Sequence, residues 1–228
     1  PVSDFHDFDA NRRAESFKIN QVWALYDDEG MPRNYAMILG VRSLNPFAVE
    51  LTWLRSVTHA GIRPLTCYTN GSSETCGEFR PGKPEFFDGV ECFSHEMVLW
   101  DDDAAVIFPR RGEAWALYRN WSLDWNELTE YESLRKLDVV QVLEDHDESL
   151  GVVVVPLVKV AGSKGMFHQH FDPNEIRRIP TGEIGRFSHR VPCRRITSDE
   201  NGSKWLEGCL ELDPAAVPPE ILEAAPLN

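Results

Sequence analysis

The sequence predicts a mainly β protein: two small antiparallel β-barrels in tandem, with only short helices. Three observations predict it. The first is an internal repeat, in which Gln21-Val22-Trp23-Ala24-Leu25-Tyr26 returns as Glu113-Ala114-Trp115-Ala116-Leu117-Tyr118, an offset of 92 residues (115 − 23). The second is another marker in nearly the same register: Phe93-Ser94-His95-Glu96-Met97 returns as Phe187-Ser188-His189-Arg190-Val191, an offset of 94 (189 − 95). The third is a run of short β-rich segments punctuated by Gly, Pro and Asp, with little helical periodicity, which favours small barrels over sandwiches of longer strands. Each copy opens on W-A-L-Y and closes on F-S-H. The expected organisation is a lead-in at 1–16, a first repeat at 17–106, a second at 107–198 and a C-terminal tail at 199–228.

In copy one, Val22 to Tyr26 is β-rich, Asp27-Asp28-Glu29-Gly30-Met31-Pro32 has turn chemistry, and Tyr35 to Leu39 resumes a strand, so the spacing predicts a hairpin with an acidic loop. Asn45-Pro46 breaks the chain before Val49 to Leu54, whose period-2 alternation describes a half-buried third strand. Copy two repeats the plan with Trp115 to Tyr118, Leu137 to Leu143, an acidic turn at Glu144 to Ser149, and Val152 to Val160. Leu123 to Leu137 has room for one or two helical turns, and Pro173 to Arg178 for a short helix after Asp172. The prolines of the tail, Pro214, Pro218, Pro219 and Pro226, leave it a short helix at most and a frayed end.

The chain has 228 residues, 42% of them apolar and 11% aromatic, which is enough to bury a substantial core and excludes wholesale disorder. With 23 Lys+Arg against 37 Asp+Glu the formal charge is −14, which repels nucleic-acid phosphate and anionic lipid and favours a basic partner. One local basic stretch, Arg177-Arg178 with Arg186 to Arg195, is the place where phosphate could be touched. The longest apolar run, Val152 to Val158, is interrupted by Pro156 and is far short of a membrane helix. No targeting peptide is visible at Pro1-Val2-Ser3-Asp4. The odd set Cys67, Cys76, Cys92, Cys193 and Cys209 suggests a reducing compartment, and the Asn-x-Ser triplets at Asn70, Asn120 and Asn201 carry no weight without a secretion signal.

The usual phosphate cradles, the nucleophile elbow and the metalloprotease helix motif are absent, so neither an enzyme nor a cofactor is expected. Gly162-Ser163-Lys164-Gly165 reads as a surface turn rather than an anion cradle. Cys67, Cys76, Cys92 and His95 could surround zinc, but the spacing is loose and copy two has only Cys193 and His189. Because His95 and His189 occupy matching positions, a shared bracing role through neutral hydrogen bonds is expected of them, while His168-Gln169-His170 reads as a solvated loop. The runs Asp27-Asp28-Glu29 and Asp101-Asp102-Asp103 read as solvated faces.

Aromatic residues are more informative. Trp23 and Tyr26 lie three apart in one strand and face opposite sides, which makes Trp23 the core anchor and leaves Tyr26 toward a groove. Tyr35 on the partner strand and Trp53 on the third could converge with Tyr26 beside Asp27 and Asp28 as a cage for a methylated ammonium; equally, the rings could fill the barrel core. Copy two offers Tyr118, Trp121, Trp125 and Tyr131 as candidates.

The long ordered passages Val22 to Arg33 with Tyr35-Ala36, Gly112 to Tyr118 and Arg186 to Pro192, with Asp4 to Asp9 ahead of them, resemble the plant domain of unknown function, the DUF3444 type, found C-terminal to J-domains in DnaJ-type proteins. That resemblance implies a nuclear protein connected with methyl-DNA readers and with transcriptional control on chromatin. The opening hairpin also resembles those of Tudor and PWWP barrels, on whose pattern Tyr26, Tyr35 and Trp53 fall at cage positions and Ser56 stands near a fourth. The leading expectation is therefore a non-enzymatic chromatin reader with two Tudor-like (SH3-like) barrels that binds a histone tail, the H3 tail foremost, at a methylated lysine. The alternative is a scaffold that binds an unmodified partner peptide in a co-chaperone or transcription complex.

Overall fold

The protein was analysed as a computed structural model, which describes residues 6–57, 74–99, 105–124, 136–197 and 206–224. The first repeat builds one sheet from β1 (Val22–Leu25), β2 (Asn34–Leu44), β3 (Phe47–Ser56), β4 (Gly77–Phe87), β5 (Phe93–Met97) and β6 (Ala105–Ile107), in the order β5-β1-β2-β3-β4-β6. The second builds another from β7 (Ala114–Tyr118), β8 (Leu137–Asp147), β9 (Gly151–Lys159), β10 (Met166–Gln169), β11 (Arg177–Ile179), β12 (Phe187–Val191), β13 (Cys193–Arg195) and β14 (Leu210–Leu212). Its order is β12-β7-β8-β9-β10-β14-β13, and β11 pairs with the first half of β9. The architecture is mainly β, two small barrel-like sheets in tandem, as the repeat and the turn chemistry predict.

The two sequence markers are neighbours in space. In each repeat the W-A-L-Y strand pairs antiparallel with the F-S-H strand that closes the meander: Trp23 opposite Glu96 and Ala24 opposite His95, Trp115 opposite Arg190 and Ala116 opposite His189. Both pairs slip register at the serine, Ser94 or Ser188. A side chain two residues before each tryptophan braces the junction. The Gln21 Oε1 atom accepts from the Trp23 indole at 3.0 Å and from the Lys18 backbone at 2.7 Å. Glu113 does the same for Trp115 at 2.9 Å and Arg110 at 3.0 Å. Each brace then reaches the matching position of the closing strand, Gln21 to Glu96 and Glu113 to Arg190, both at 3.0 Å.

Alternation along β1 divides its side chains between two cores. Trp23 and Leu25 enter the first barrel with Phe17, Phe47, Leu51 and Phe93; the Phe17 and Trp23 rings stack at 4.3 Å. Val22 and Ala24 face the other way, into a core shared by both repeats that also holds Tyr35, Phe79, Trp115, Val140 and Phe187. A third core under β7 collects Ala116, Tyr118, Phe167 and Leu212. Both W-A-L-Y strands are thus covered on two faces, and the barrels are fused through apolar burial rather than strung on a linker.

The structure also corrects the outline drawn from sequence. The expected tail contributes β14 to the second sheet, a 3-10 turn at Pro214–Ala216 capped by Asp213, and a short α-helix at Pro219–Glu223. The short helix expected at Pro173 to Arg178 is a single 3-10 turn, Pro173–Glu175, capped by Asp172, and Arg177 and Arg178 belong to β11. The lead-in docks on the second repeat: the His6 backbone donates to Glu211 at 2.8 Å, and Arg12 pairs with Asp213.

Gly151, which opens β9, is required by its geometry. Its φ is +89°, and an added Cβ would lie 1.9 Å from the Ile179 carbonyl oxygen of β11. Gly151→Ala is expected to lose on the order of 2 kcal/mol of stability by urea denaturation. A change under about 0.5 kcal/mol, the size of a neutral surface substitution, would mean that β11 can move aside.

Candidate functional site

The acidic loop between β1 and β2 is ordered by its own carboxylates. Asp27 Oδ1 accepts from the backbone N–H groups of Glu29 at 3.0 Å and Met31 at 2.9 Å, and Gly30 takes a φ of +74°. Arg33 then closes the loop, its Nη1 donating to Asp27 at 2.8 Å and Glu29 at 2.7 Å. Asp27 is thus a brace neutralised by a guanidinium, while Asp28 is exposed in the same turn. Burial works against the Arg33 charge, but the Tyr118 phenol, Asp27 and Glu29 more than offset it and hold its pKa above the usual arginine value.

The expected convergence of Tyr26, Tyr35 and Trp53 is not formed. Tyr35 pairs across from Ala24 and points into the shared core, 2% exposed, with its hydroxyl donating to the Thr75 carbonyl at 2.9 Å. Trp53 pairs across from Ala36, on the opposite face, where it meets Phe87 edge-on at 5.9 Å. The Tyr26 hydroxyl is taken by Arg12. The physical reason is the two-residue period of the pleat: Tyr35 and Ala36 point to opposite faces, and Trp53 follows Ala36.

Tyr35 and Trp53 nevertheless share a pocket of about 240 Å³, because both lie at the end of the first barrel. Phe79 adds a third ring to its lining, edge-on to Tyr35 at 5.3 Å. Two carboxylates complete it, Glu85 accepting from the Trp53 indole and Glu74 from the Ser56 hydroxyl at 2.5 Å. Of the two arginines in the lining, Arg33 is already paired with two acids and Arg55 is exposed. The lining holds two carboxylates and two guanidinium groups, but Arg33 is matched to Asp27 and Glu29, which leaves Glu74 and Glu85 against Arg55 and suits a small cation.

In the second repeat Tyr118 is buried beneath the Arg33 guanidinium, 5.7 Å from its ring centroid, and Trp121 lies under Arg186 at the same distance. Trp125, Tyr131, Cys67 and Asp101 to Asp103 fall outside the described residues. The paired histidines are both buried. Ser188 bonds His189 Nδ1 at 3.0 Å and His189 Nε2 donates to the Ala216 carbonyl at 2.9 Å; Ser94 bonds His95 Nδ1 at 2.9 Å. Burial, and then the neighbouring Arg33, pushes His189 down to about 3, and burial with Arg190 holds His95 well below the usual imidazole value. Among the described residues no three His, Cys, Asp or Glu side chains gather as a metal site would need, and no helix is long and apolar enough to cross a membrane.

The sequence model of one family, described as Domain of unknown function (DUF3444), matches residues 1–200. The chain belongs to the DUF3444 family. No curated protein and no solved structure matches it. In this DUF3444 chain the matched span covers both barrels through β13, while β14, which completes the second sheet, lies beyond it. Three pocket residues of the DUF3444 domain, Glu74, Phe79 and Glu85, escaped the sequence reading. Phe79 and Glu85 lie on β4 and Glu74 just ahead of it, and the strand contains Pro81 and Pro84, which remove ladder donors and argue against a strand. Beyond Phe79, β4 pairs with β3 alone among the described residues, since β6 covers only Gly77 to Phe79, and on that open side proline is tolerated.

Proposed function

We propose that this DUF3444 domain is a non-enzymatic reader that binds a basic histone tail and receives a methylated lysine in the pocket at the end of the first barrel. The observation that carries this reading is the meeting of Trp53, Tyr35 and Phe79 with Glu74 and Glu85 in one cavity of about 240 Å³. Such a volume is smaller than sites for drug-sized molecules and suits one side-chain head group. Trp53 is the ring most open to a ligand, since Tyr35 and Phe79 are 2% and 3% exposed. A well-placed ring contributes roughly 0.5–2 kcal/mol toward a desolvated ammonium, and the −14 charge speeds encounter with Lys/Arg-rich tails. The family resemblance adds a nuclear setting beside J-domains and methyl-DNA readers.

A second reading, a scaffold for an unmodified partner peptide, is favoured by the depth of Tyr35 and Phe79, which belong to the core as much as to the pocket. Methylation dependence separates the two. The purified chain is screened against modified and unmodified histone peptides, with calorimetry on each hit. The reader predicts methyl-dependent binding that Trp53→Ala abolishes while urea unfolding stays cooperative. Equal affinity for unmodified lysine would leave the scaffold, and loss of folding in the variant would make Trp53 a core residue.

A further inference from the structure

The two walls of the pocket are fastened to adjacent residues of the other repeat. One wall is the entry to β2, Arg33 to Tyr35, and there Arg33 Nε donates to the Ser188 hydroxyl at 3.0 Å. The other wall begins at Glu74 and continues to Phe79, and between them Thr75 donates its hydroxyl to the Phe187 carbonyl at 2.6 Å. Tyr35 joins the walls by donating to the Thr75 carbonyl. Phe187 and Ser188 are 1% and 0% exposed and form the bulged start of the F-S-H strand. A hydroxyl or guanidinium that makes its bond in a dry interface is held to one geometry, because the alternative is an unpaired buried group.

We propose that the second repeat completes the binding site of the first, with Arg33 and Thr75 as positioning residues that set the two pocket walls against Phe187 and Ser188. The proposal rests on the reading of the pocket as a peptide site. It makes the tandem one binding unit: the F-S-H marker, which in each repeat closes a barrel, in the second also supports its neighbour's pocket. The ordered chain from Arg33 to Ser188, His189 and the Ala216 carbonyl extends that support into the C-terminal segment.

The test uses the full chain with Thr75→Val, which keeps the shape and removes the hydroxyl, Thr75→Ser, which keeps the hydroxyl, and Arg33→Lys, which keeps the charge and loses the fork. Affinity is measured by calorimetry for the tightest-binding methylated histone H3 peptide, and the Trp53 indole N–H resonance is followed without ligand. Thr75→Val and Arg33→Lys are expected to weaken binding about tenfold, the equivalent of one buried hydrogen bond. Both should also displace the Trp53 resonance, with cooperative unfolding retained and Thr75→Ser close to wild type. Unchanged affinity and an unmoved Trp53 resonance in a folded Thr75→Val chain would overturn the coupling. If the wild type binds no peptide while Thr75→Val still moves the Trp53 resonance, the coupling stands and the reader function falls.

Discussion

Arg33→Met is expected to cost about 3–5 kcal/mol, the largest effect of any single substitution outside the cores. Arg33 is 7% exposed and holds Asp27 and Glu29, whose side chains are themselves only 16% and 19% exposed. Methionine keeps much of the volume, so the loss reports removal of the Arg33 charge from beside the two carboxylates, together with the Ser188 hydroxyl left without its donor. Removing one partner of a buried pair is far more costly than replacing the whole set by neutral groups. Arg33→Met combined with Asp27→Asn and Glu29→Gln should therefore recover much of the loss. Urea denaturation followed by tryptophan fluorescence gives both numbers. A single-variant loss below about 1 kcal/mol would mean that water reaches the loop and screens the pair.

Acidification is the second large effect. His189 and His95 are neutral and buried, with folded pKa values depressed to about 3 and to well below the usual value. Above pH 6.5 both histidines are neutral in the folded and unfolded chains alike, and stability is independent of them. As pH falls through 6.5 the unfolded chain takes up protons that the folded one refuses, so stability declines, and it goes on declining for His189 until pH approaches 3. At 1.36 kcal/mol per unit, His189 alone accounts for about 2 kcal/mol between pH 6.5 and 5, and for about 5 kcal/mol by pH 3. The window to measure is pH 7.5 to 5, which lies above the ordinary carboxylate range. His189→Gln, whose amide can still donate to the Ala216 carbonyl, should flatten the dependence by about one proton. A urea midpoint that does not move between pH 7.5 and 5 would show that the imidazoles are protonated, or solvated, in the folded chain.

Much of the fold was legible in local patterns. The W-A-L-Y and F-S-H repeats announced a tandem because each marker serves a pairing that both copies must make: Trp23 against Glu96, Trp115 against Arg190. The paired histidines are both buried, as their equivalence suggests, but only His189 braces another segment, through the Ala216 carbonyl, while among the described residues His95 bonds only the adjacent Ser94. Less could be read where a residue's surroundings come from distant chain. Pro81 and Pro84 disguised β4, and the Pro-rich tail disguised β14, since each strand exists only because distant strands pair with it, β3 and β6 with β4, β10 and β13 with β14. Tyr35 looked like a cage ring because alternation tells which face it takes but not what covers that face.

The sequence by itself determined the class of structure, the duplication, the hairpin with its acidic loop, and the net negative charge, because these depend on side-chain period, turn chemistry and composition, which are local. Only the tertiary structure decided which rings share a pocket, that Asp27 and Glu29 are matched to Arg33, and that Phe187 and Ser188 of one repeat hold the pocket walls of the other. Those contacts join residues as far apart as 155 positions, from Arg33 to Ser188. Closing such a loop becomes favourable only when two apolar faces bury each other, and periodicity within one segment carries no record of its distant partner.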